Sequence, residues 1–213
     1  SLNQLVWQST PDGGETRFAY DKLGRIIASQ NAKQKAVLFT PSLTLESGLS
    51  YNGNALTKNT EDTKWKDAHS SELLPYNGSV QFAIRYEGIP NENKDIIFGL
   101  SYTNSSVANI GYGFYLTGNN NYPMIRQNNN NVATSPIALV DGAIFKIERV
   151  DGVIKWYINN VVVYQISEQS PTLPMLIDIA MYRINTKVNK IQVIRYDENK
   201  FSYTNYDKLG RIK

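Results

Sequence analysis

Apolar and polar residues alternate with a period of two through much of the middle of this chain. Val80, Phe82, Ile84 and Tyr86 alternate with Ser79, Gln81, Ala83 and Arg85, and Phe145 and Ile147 alternate with Lys146 and Glu148. That period puts every second side chain on one face of an extended strand, the mark of a strand buried on one side. It predicts strands over Ser79–Tyr86, Asp95–Tyr102, Tyr112–Thr117, Pro123–Gln127, Ile144–Val150, Val153–Ile158, Val161–Ile166, Leu176–Tyr182 and Lys190–Arg195. The turn pairs Asp151-Gly152 and Asn159-Asn160 separate three of these in succession and predict a meander. No segment keeps an apolar helical period for three turns. Many short strands joined by polar turns predict an all-β fold, an antiparallel β-sandwich or a barrel.

Elsewhere the pattern is weaker. The segment from Leu49 to Asn77 mixes Gly, Asn and charged residues and reads as one or two strands with a long excursion at a rim. Pro171 and Pro174 bracket a loop, because proline limits ladder pairing. Residues 1–35 contain Phe18, Tyr20 and Ile26 among polar positions, with a turn at Lys22-Leu23-Gly24 and a return through Arg25-Ile26-Ile27-Ala28. That is a short hairpin. The seven residues Tyr20-Asp21-Lys22-Leu23-Gly24-Arg25-Ile26 recur unchanged at Tyr206–Ile212. An isolated hairpin is marginal in water, so both pieces need neighbours.

Composition adds limits. A chain of 213 residues holds one main core, and 41% hydrophobic with 19% charged residues fits a folded protein rather than a disordered tail. The 22 basic residues lie scattered among 19 acidic ones, without a block that would neutralise a row of phosphates, so nucleic acid is not an expected partner. No apolar run reaches the about 18 residues that span a bilayer, so membrane insertion is not expected either. Cysteine is absent, which excludes disulfides, cysteine nucleophiles and thiolate metal sites. The 23 asparagines and 14 tyrosines suit an exposed extracellular surface, and the sequence reads as an excised piece of a longer chain.

Two resemblances follow from these residues. The segments "FAYDKLGRII" and "YTNYDKLGRI" resemble YD repeats of the Rhs type, in which an aromatic residue precedes Tyr-Asp, two variable residues, Gly-Arg and an apolar residue. In that family the repeats form β-strands of large bacterial surface or toxin-delivery proteins. The segment "GAIFKIERVDGVIKWYINNVVVYQ", with "LIDIAMY" and "NKIQVIRY" after it, resembles the late strands of concanavalin A-like lectin and laminin-G-like jelly rolls. There a strand reading f-x-I-x-R leads into a hairpin with Asn at its turn. Together they imply a YD segment over 1–35, a lectin-like jelly-roll β-sandwich over 36–197, and the start of a second YD segment over 198–213. Two arrangements stay open: an array alternating sandwich and YD segments, or one YD region with a domain inserted.

Catalytic chemistry finds little support. His69 is the one candidate base, and Ser70 and Ser71 lack the Gly-x-Ser-x-Gly setting of a nucleophile elbow. Jelly-roll glycosidases need two carboxylates about 5 to 10 Å apart. In the family with this fold they come from Glu-x-Asp-x-Glu, where this chain has Leu176, Asp178 and Ala180. Asp178 alone then reads as a paired or rim carboxylate, and no catalytic residue is assigned. A structural calcium could draw on Asp62, Asp67 and His69, or on Asn and Asp oxygens over 118–131, although no EF-hand loop is present.

Sugar binding asks for a flat aromatic face and a few polar groups. The candidates are Trp65 in a polar loop, Tyr76 and Asn77 before a strand, Asn120, Tyr122, Arg126 and Asn128 around one hairpin, and Tyr157. Tyr157 shares a face with Lys155 and Asn159, whereas Trp156 shares the opposite face with Ile154 and Ile158 and belongs to the core. Any single Asn has turn chemistry as its alternative role, and Trp65 either plugs the sandwich edge or awaits a ligand. The reading is a non-catalytic carbohydrate-binding or adhesion module, monomeric within a large bacterial YD-repeat protein at the cell surface or outside it, and contacting surface glycans. The alternatives are a structural spacer or protein-adhesion module, and a jelly-roll glycoside hydrolase.

Overall fold

The computed structural model describes residues 4–10, 14–31, 36–74, 80–86, 95–103, 110–118, 120–150, 152–168, 173–196, 202–207, 209 and 211–212, with backbone alone at 14, 36–37, 80–86 and 196. In chain order the strands are β1 (Trp7–Thr10), β2 (Gly14–Tyr20), β3 (Ile26–Gln30), β4 (Ala36–Phe39), β5 (Leu43–Leu45), β6 (Leu49–Tyr51) and β7 (Ala55–Lys58). Next come β8 (Lys66–Ser70), β9 (Val80–Tyr86), β10 (Ile96–Ser101), β11 (Tyr112–Leu116), β12 (Met124–Gln127) and β13 (Asn130–Thr134). The last are β14 (Ile144–Val150), β15 (Val153–Ile158), β16 (Val161–Ser167), β17 (Leu176–Met181), β18 (Lys187–Tyr196) and β19 (Ser202–Tyr203). The chain divides into two compact units, one of Ser1–Val37 with Arg195–Lys213, the other of Leu38–Ile194.

The first unit is a four-stranded sheet in the order β1-β2-β3-β19, so both ends of the chain share it. The repeated heptapeptide makes the same turn twice. Asp21 Oδ1 accepts from the amides of Leu23 (2.9 Å) and Arg25 (3.0 Å), and Oδ2 accepts from Arg25 Nε (2.8 Å). Asp207 does the same with the amides of Leu209 and Arg211 (2.9 Å each) and with Arg211 Nε (2.8 Å). Gly24 takes the left-handed conformation this turn needs, at φ +79°. The motif tyrosines act alike too: Tyr20 donates to Leu5 O (2.7 Å) and Tyr206 to Ile26 O (2.9 Å). Two residues before each tyrosine, Phe18 N donates to Val6 O (2.9 Å) and Thr204 N to Ile27 O (3.0 Å). β19 therefore lies on β3 in the register in which β2 lies on β1.

The second unit is a β-sandwich. One sheet has seven strands in the order β13-β12-β11-β10-β17-β8-β5, and the other has eight, in the order β16-β15-β14-β9-β18-β7-β6 with β4 also on β18. Among the described residues the paired strands run antiparallel, including the expected meander β14-β15-β16. Its second turn uses Asn159 and Asn160 at φ +50° and +65°. Inner faces meet through Phe98, Phe114, Ile125, Ile177 and Ile179 of the seven-stranded sheet and Phe145, Ile147, Ile154, Trp156, Val188 and Val193 of the other, all fully buried. Phe145 sits edge-on to Phe98 and Phe114, with ring centroids 5.2 and 5.0 Å away.

Two polar features cross the core. The Trp156 indole donates to Gly113 O at 3.0 Å, satisfying a donor that burial would otherwise strand. Gly113 and its partner Gly99 allow the close strand approach there: a Cβ on Gly99 would fall on the Tyr112 carbonyl oxygen, and one on Gly113 would lie 2.5 Å from Phe98 O. Arg149, the arginine of the f-x-I-x-R pattern, continues the inner-face parity of Phe145 and Ile147 and is buried. Its guanidinium forks onto Glu168 (2.7 and 2.6 Å) and reaches Leu173 O (2.7 Å), while Tyr102 donates to Glu168 at 2.9 Å.

The segment expected to hold one or two strands, Leu49 to Asn77, contains β6, β7 and β8. Strands of three to five residues are too short to show a period. β13, with the sequence NNVAT, was not expected either; it forms because Asn128 and Asn129, at φ +48° and +68°, fold the chain back onto β12. Trp156→Ala is expected to lower the unfolding free energy by about 3–5 kcal/mol, measured by urea titration. Glu168→Ala, which leaves Arg149 buried without its carboxylate, is expected to cost a similar about 3–5 kcal/mol.

Candidate functional site

The outer face of the seven-stranded sheet carries the chemistry. Strand parity turns Ile97 and Ser101 of β10, Tyr115 of β11, Met124 and Arg126 of β12, Asp178 and Ala180 of β17, and Asp67 and His69 of β8 away from the main core. Cross-strand pairing lines up His69, Asp178, Gly99, Gly113 and Arg126 in one row. A second, small apolar cluster forms on this face from Ile97, Ile110 and Ala180, with Trp65 and Tyr115 packed on it.

Trp65 thus sits outside the core. Its ring lies 5.4 Å from that of Tyr182 and 6.2 Å from that of Tyr115, with one side against Ile97, Ile110 and Ala180 and part of it in solvent. The three rings gather at one end of the sheet, where β8, β10 and β12 begin and β11 and β17 finish. Asp95 organises this rim: Oδ2 accepts from Arg183 Nε (3.0 Å), Oδ1 from Gly118 N (3.3 Å), and its carbonyl from Tyr182 N (3.0 Å). The Arg183 guanidinium lies 4.9 Å from the Tyr182 ring centre. Burial, then Asp95, hold the Tyr115 phenol above its usual pKa.

Asn120 and Tyr122 belong to the loop between β11 and β12, at this same end. Asn120 Oδ1 accepts from Tyr122 N at 3.0 Å, which leaves the Tyr122 side chain 45% exposed. Asn128 occupies the turn at the other end of β12, roughly 20 Å along the strand from Tyr122. There Asn128 O accepts from Asn130 Nδ2 (3.0 Å), and Arg126 Nη2 reaches the neighbouring Asn129 O (2.7 Å). Tyr157 lies on the outer face of the opposite sheet; its hydroxyl donates to Glu148 (2.7 Å) and the Lys146 ammonium covers its ring at 3.8 Å. Trp65, Asn120 and Tyr122 therefore lie at the same end of the seven-stranded sheet, whereas Asn128 and Tyr157 do not. Tyr76 and Asn77 lie outside the described residues.

Toward the middle of the face two carboxyls meet. Asp178 is fully buried and accepts from the Ser101 hydroxyl at 2.8 Å; Asp67 lies beside it on the neighbouring strand β8, with His69 Nδ1 3.7 Å from the Asp67 carboxylate. Burial, reinforced by Asp67, pushes Asp178 up to about 8, and burial raises Asp67 as well. Asp62 is drawn away from both by Lys58 (2.7 Å) and Lys66 (3.5 Å). Among the described residues no three His, Asp or Glu side chains gather as metal ligands.

Sequence reasoning missed Tyr115, Tyr182, Asp95 and Arg183. Tyr115 had a signal, being out of phase with Tyr112, Phe114 and Leu116 on its strand. The others belong to the site only through pairing of distant strands. Trp7 was missed as well: it is 59% exposed in the first unit and, with Val6, Glu15 and Arg17, lines an open hollow of about 510 Å³.

No protein-family model matches the chain, and no curated protein does. Solved structures do. The VIP36 exoplasmic/lumenal domain in its Ca²⁺/Man2-bound form superposes with a TM-score of 0.55 at 8% identity, over 83% of this chain and 98% of that one. Its Ca²⁺/Man3GlcNAc-bound form gives 0.54 at 9% identity, over 80% and 98%. The Emp47p carbohydrate recognition domain gives 0.53 at 10% identity, over 84% and 99%. At such identities the likeness establishes the fold: an all-β, antiparallel, lectin-like β-sandwich.

Because Asp178 binds its proton more tightly folded than unfolded, its contribution is complete below the unfolded carboxylate range of about 4 and is lost as pH rises through about 8. Asp178→Asn supplies a fixed amide in place of that proton. Melting temperatures measured from pH 5 to 9 are expected to show the wild type losing ground to the variant as pH rises.

Proposed function

We propose that the sandwich is a non-catalytic glycan-binding module whose site is the aromatic rim of the seven-stranded sheet. The observation that carries this reading is the partly buried Trp65–Tyr182–Tyr115 cluster, at the same sheet end as Asp95, Arg183 and the Asn120–Tyr122 loop. Ring faces take the apolar side of a pyranose, while carboxylate, guanidinium and amide groups take its hydroxyls. The Man3GlcNAc-bound and Man2-bound forms of the VIP36 domain, which has the same fold, support the same class of ligand. Arg126 is a second-line contact, further along the same face.

Hydrolysis is disfavoured by geometry. Strand pairing sets Asp67 and Asp178 side by side on this face, and they offer no accessible acid pair, because Asp178 is shut off from solvent.

The end segments fit a YD-repeat region of a bacterial surface or secreted protein. Of the two arrangements left open by sequence, insertion is the one favoured: β3 and β19 stand in the register of β1 and β2, and the segment 38–194 occupies the connection that Thr10–Gly14 makes in the earlier hairpin. A glycan-binding module carried this way gains from repetition along the parent chain, because weak sites add through avidity. An adhesion or spacer role has its own support in Leu5, Val6 and Trp7, all more than half exposed where the chain enters the outer strand β1 of the first unit.

A glycan array followed by titration should detect binding at millimolar sugar or tighter. Trp65→Ala is expected to cost about 2 kcal/mol, roughly thirtyfold in Kd, whereas Tyr157→Ala should leave affinity unchanged. Absence of binding to mannose-containing and other microbial or plant glycans would refute the glycan reading and leave the adhesion role.

A further inference from the structure

Lys58 ends β7, and its side chain is fully buried. Its ammonium donates to three backbone carbonyls, Asp62 O at 3.1 Å, Lys64 O at 2.7 Å and Tyr182 O at 2.5 Å, and it pairs with Asp62 Oδ1 at 2.7 Å. The Tyr182 ring centre lies 5.7 Å away. Its main chain is fastened to the same region, with Lys58 N on Thr186 O (3.2 Å) and Asn185 N on Lys58 O (2.9 Å). The four oxygens come from the loop 59–65 and from the residue after β17. Those are the segments that carry Trp65 and Tyr182.

Backbone carbonyls and a carboxylate converging on one buried positive charge are also the ligands of a hard metal cation. The VIP36 structures above are Ca²⁺-bound forms. The residues of this rim do not fit such an ion. Its convergent oxygens already surround an ammonium, Asp62 is further engaged by Lys66, and Asp67 faces a second carboxyl.

We propose that Lys58 is the positioning residue of the aromatic rim: its ammonium gathers the oxygens that a bound cation could gather, holding loop 59–65 against the end of β17 so that Trp65 and Tyr182 pair without calcium. The inference rests on the glycan-binding reading for the rim's purpose, while its test uses no glycan, so either can fail alone.

The test uses the whole 213-residue chain. The signal of Trp65 is isolated by subtracting the matched Trp65→Phe background in near-ultraviolet circular dichroism and in acrylamide quenching. In the wild type, EDTA followed by added Ca²⁺ is expected to leave that signal unchanged. Lys58→Met is expected to abolish its dichroic band and its protection from acrylamide, with the far-ultraviolet spectrum and the buried Trp156 emission retained, and Lys58→Arg to restore part of both. If Lys58→Met does not fold, Asp62→Asn is measured the same way and should weaken the protection. Loss of the Trp65 signal on chelation in the wild type, or its full persistence in Lys58→Met or, where that variant does not fold, in Asp62→Asn, overturns the proposal.

Discussion

A strand in a two-sheet sandwich has two faces, and only one of them can be spent on the core. That constraint governs this molecule. The inner faces take Phe98, Phe114, Phe145 and Trp156, whose rings interlock between the sheets. Everything with chemical potential is left to the outer faces and the strand ends. Because Tyr115 alternates with Tyr112 and Phe114, packing those two inward presents Tyr115 outward beside Trp65. The aromatic rim is thus a consequence of the same alternation that closes the core.

Burial of charge is the second theme, and the sandwich resolves it in three ways. Arg149 is matched by a bidentate carboxylate, with Tyr102 as a further donor. Lys58 is matched mainly by carbonyl oxygens, which tie a loop to a strand end. Asp178 has a second acid for a neighbour and keeps a proton instead. The first joins inner-face and loop residues, the second orders the candidate site, and the third makes part of the stability depend on pH. An unpaired buried charge would cost several kcal/mol, so each arrangement is obligatory once the group is inside.

The alternation in "SVQFAIRY" and "IFKIERV" and the turns at Asn159-Asn160 were legible in sequence, since strand parity and turn conformation are local properties. The fate of Trp156 followed from parity too. Trp65 could not be read so, because its loop has no period and its neighbours lie on β11 and after β17. Tyr157 shows the limit of parity: it was correctly turned outward, yet Lys146 of the adjacent strand covers its ring. The asparagines at 128, 159 and 160 serve backbone turns, as their tolerance of positive φ allows.

By itself the sequence determined the longer strands and their inward and outward faces, and the repeated Tyr-Asp turn, in which Asp21 and Asp207 meet the same amides and guanidinium. Each depends on residues a few positions apart. Only the tertiary structure decided that β8, β17, β10 and β11 lie side by side, that Lys58 reaches the carbonyl of Tyr182, and that β19 joins the sheet of β1, β2 and β3. Pairing between strands distant in sequence is chosen by which arrangement buries all the apolar faces at once. That is a property of the whole chain and of no segment in it.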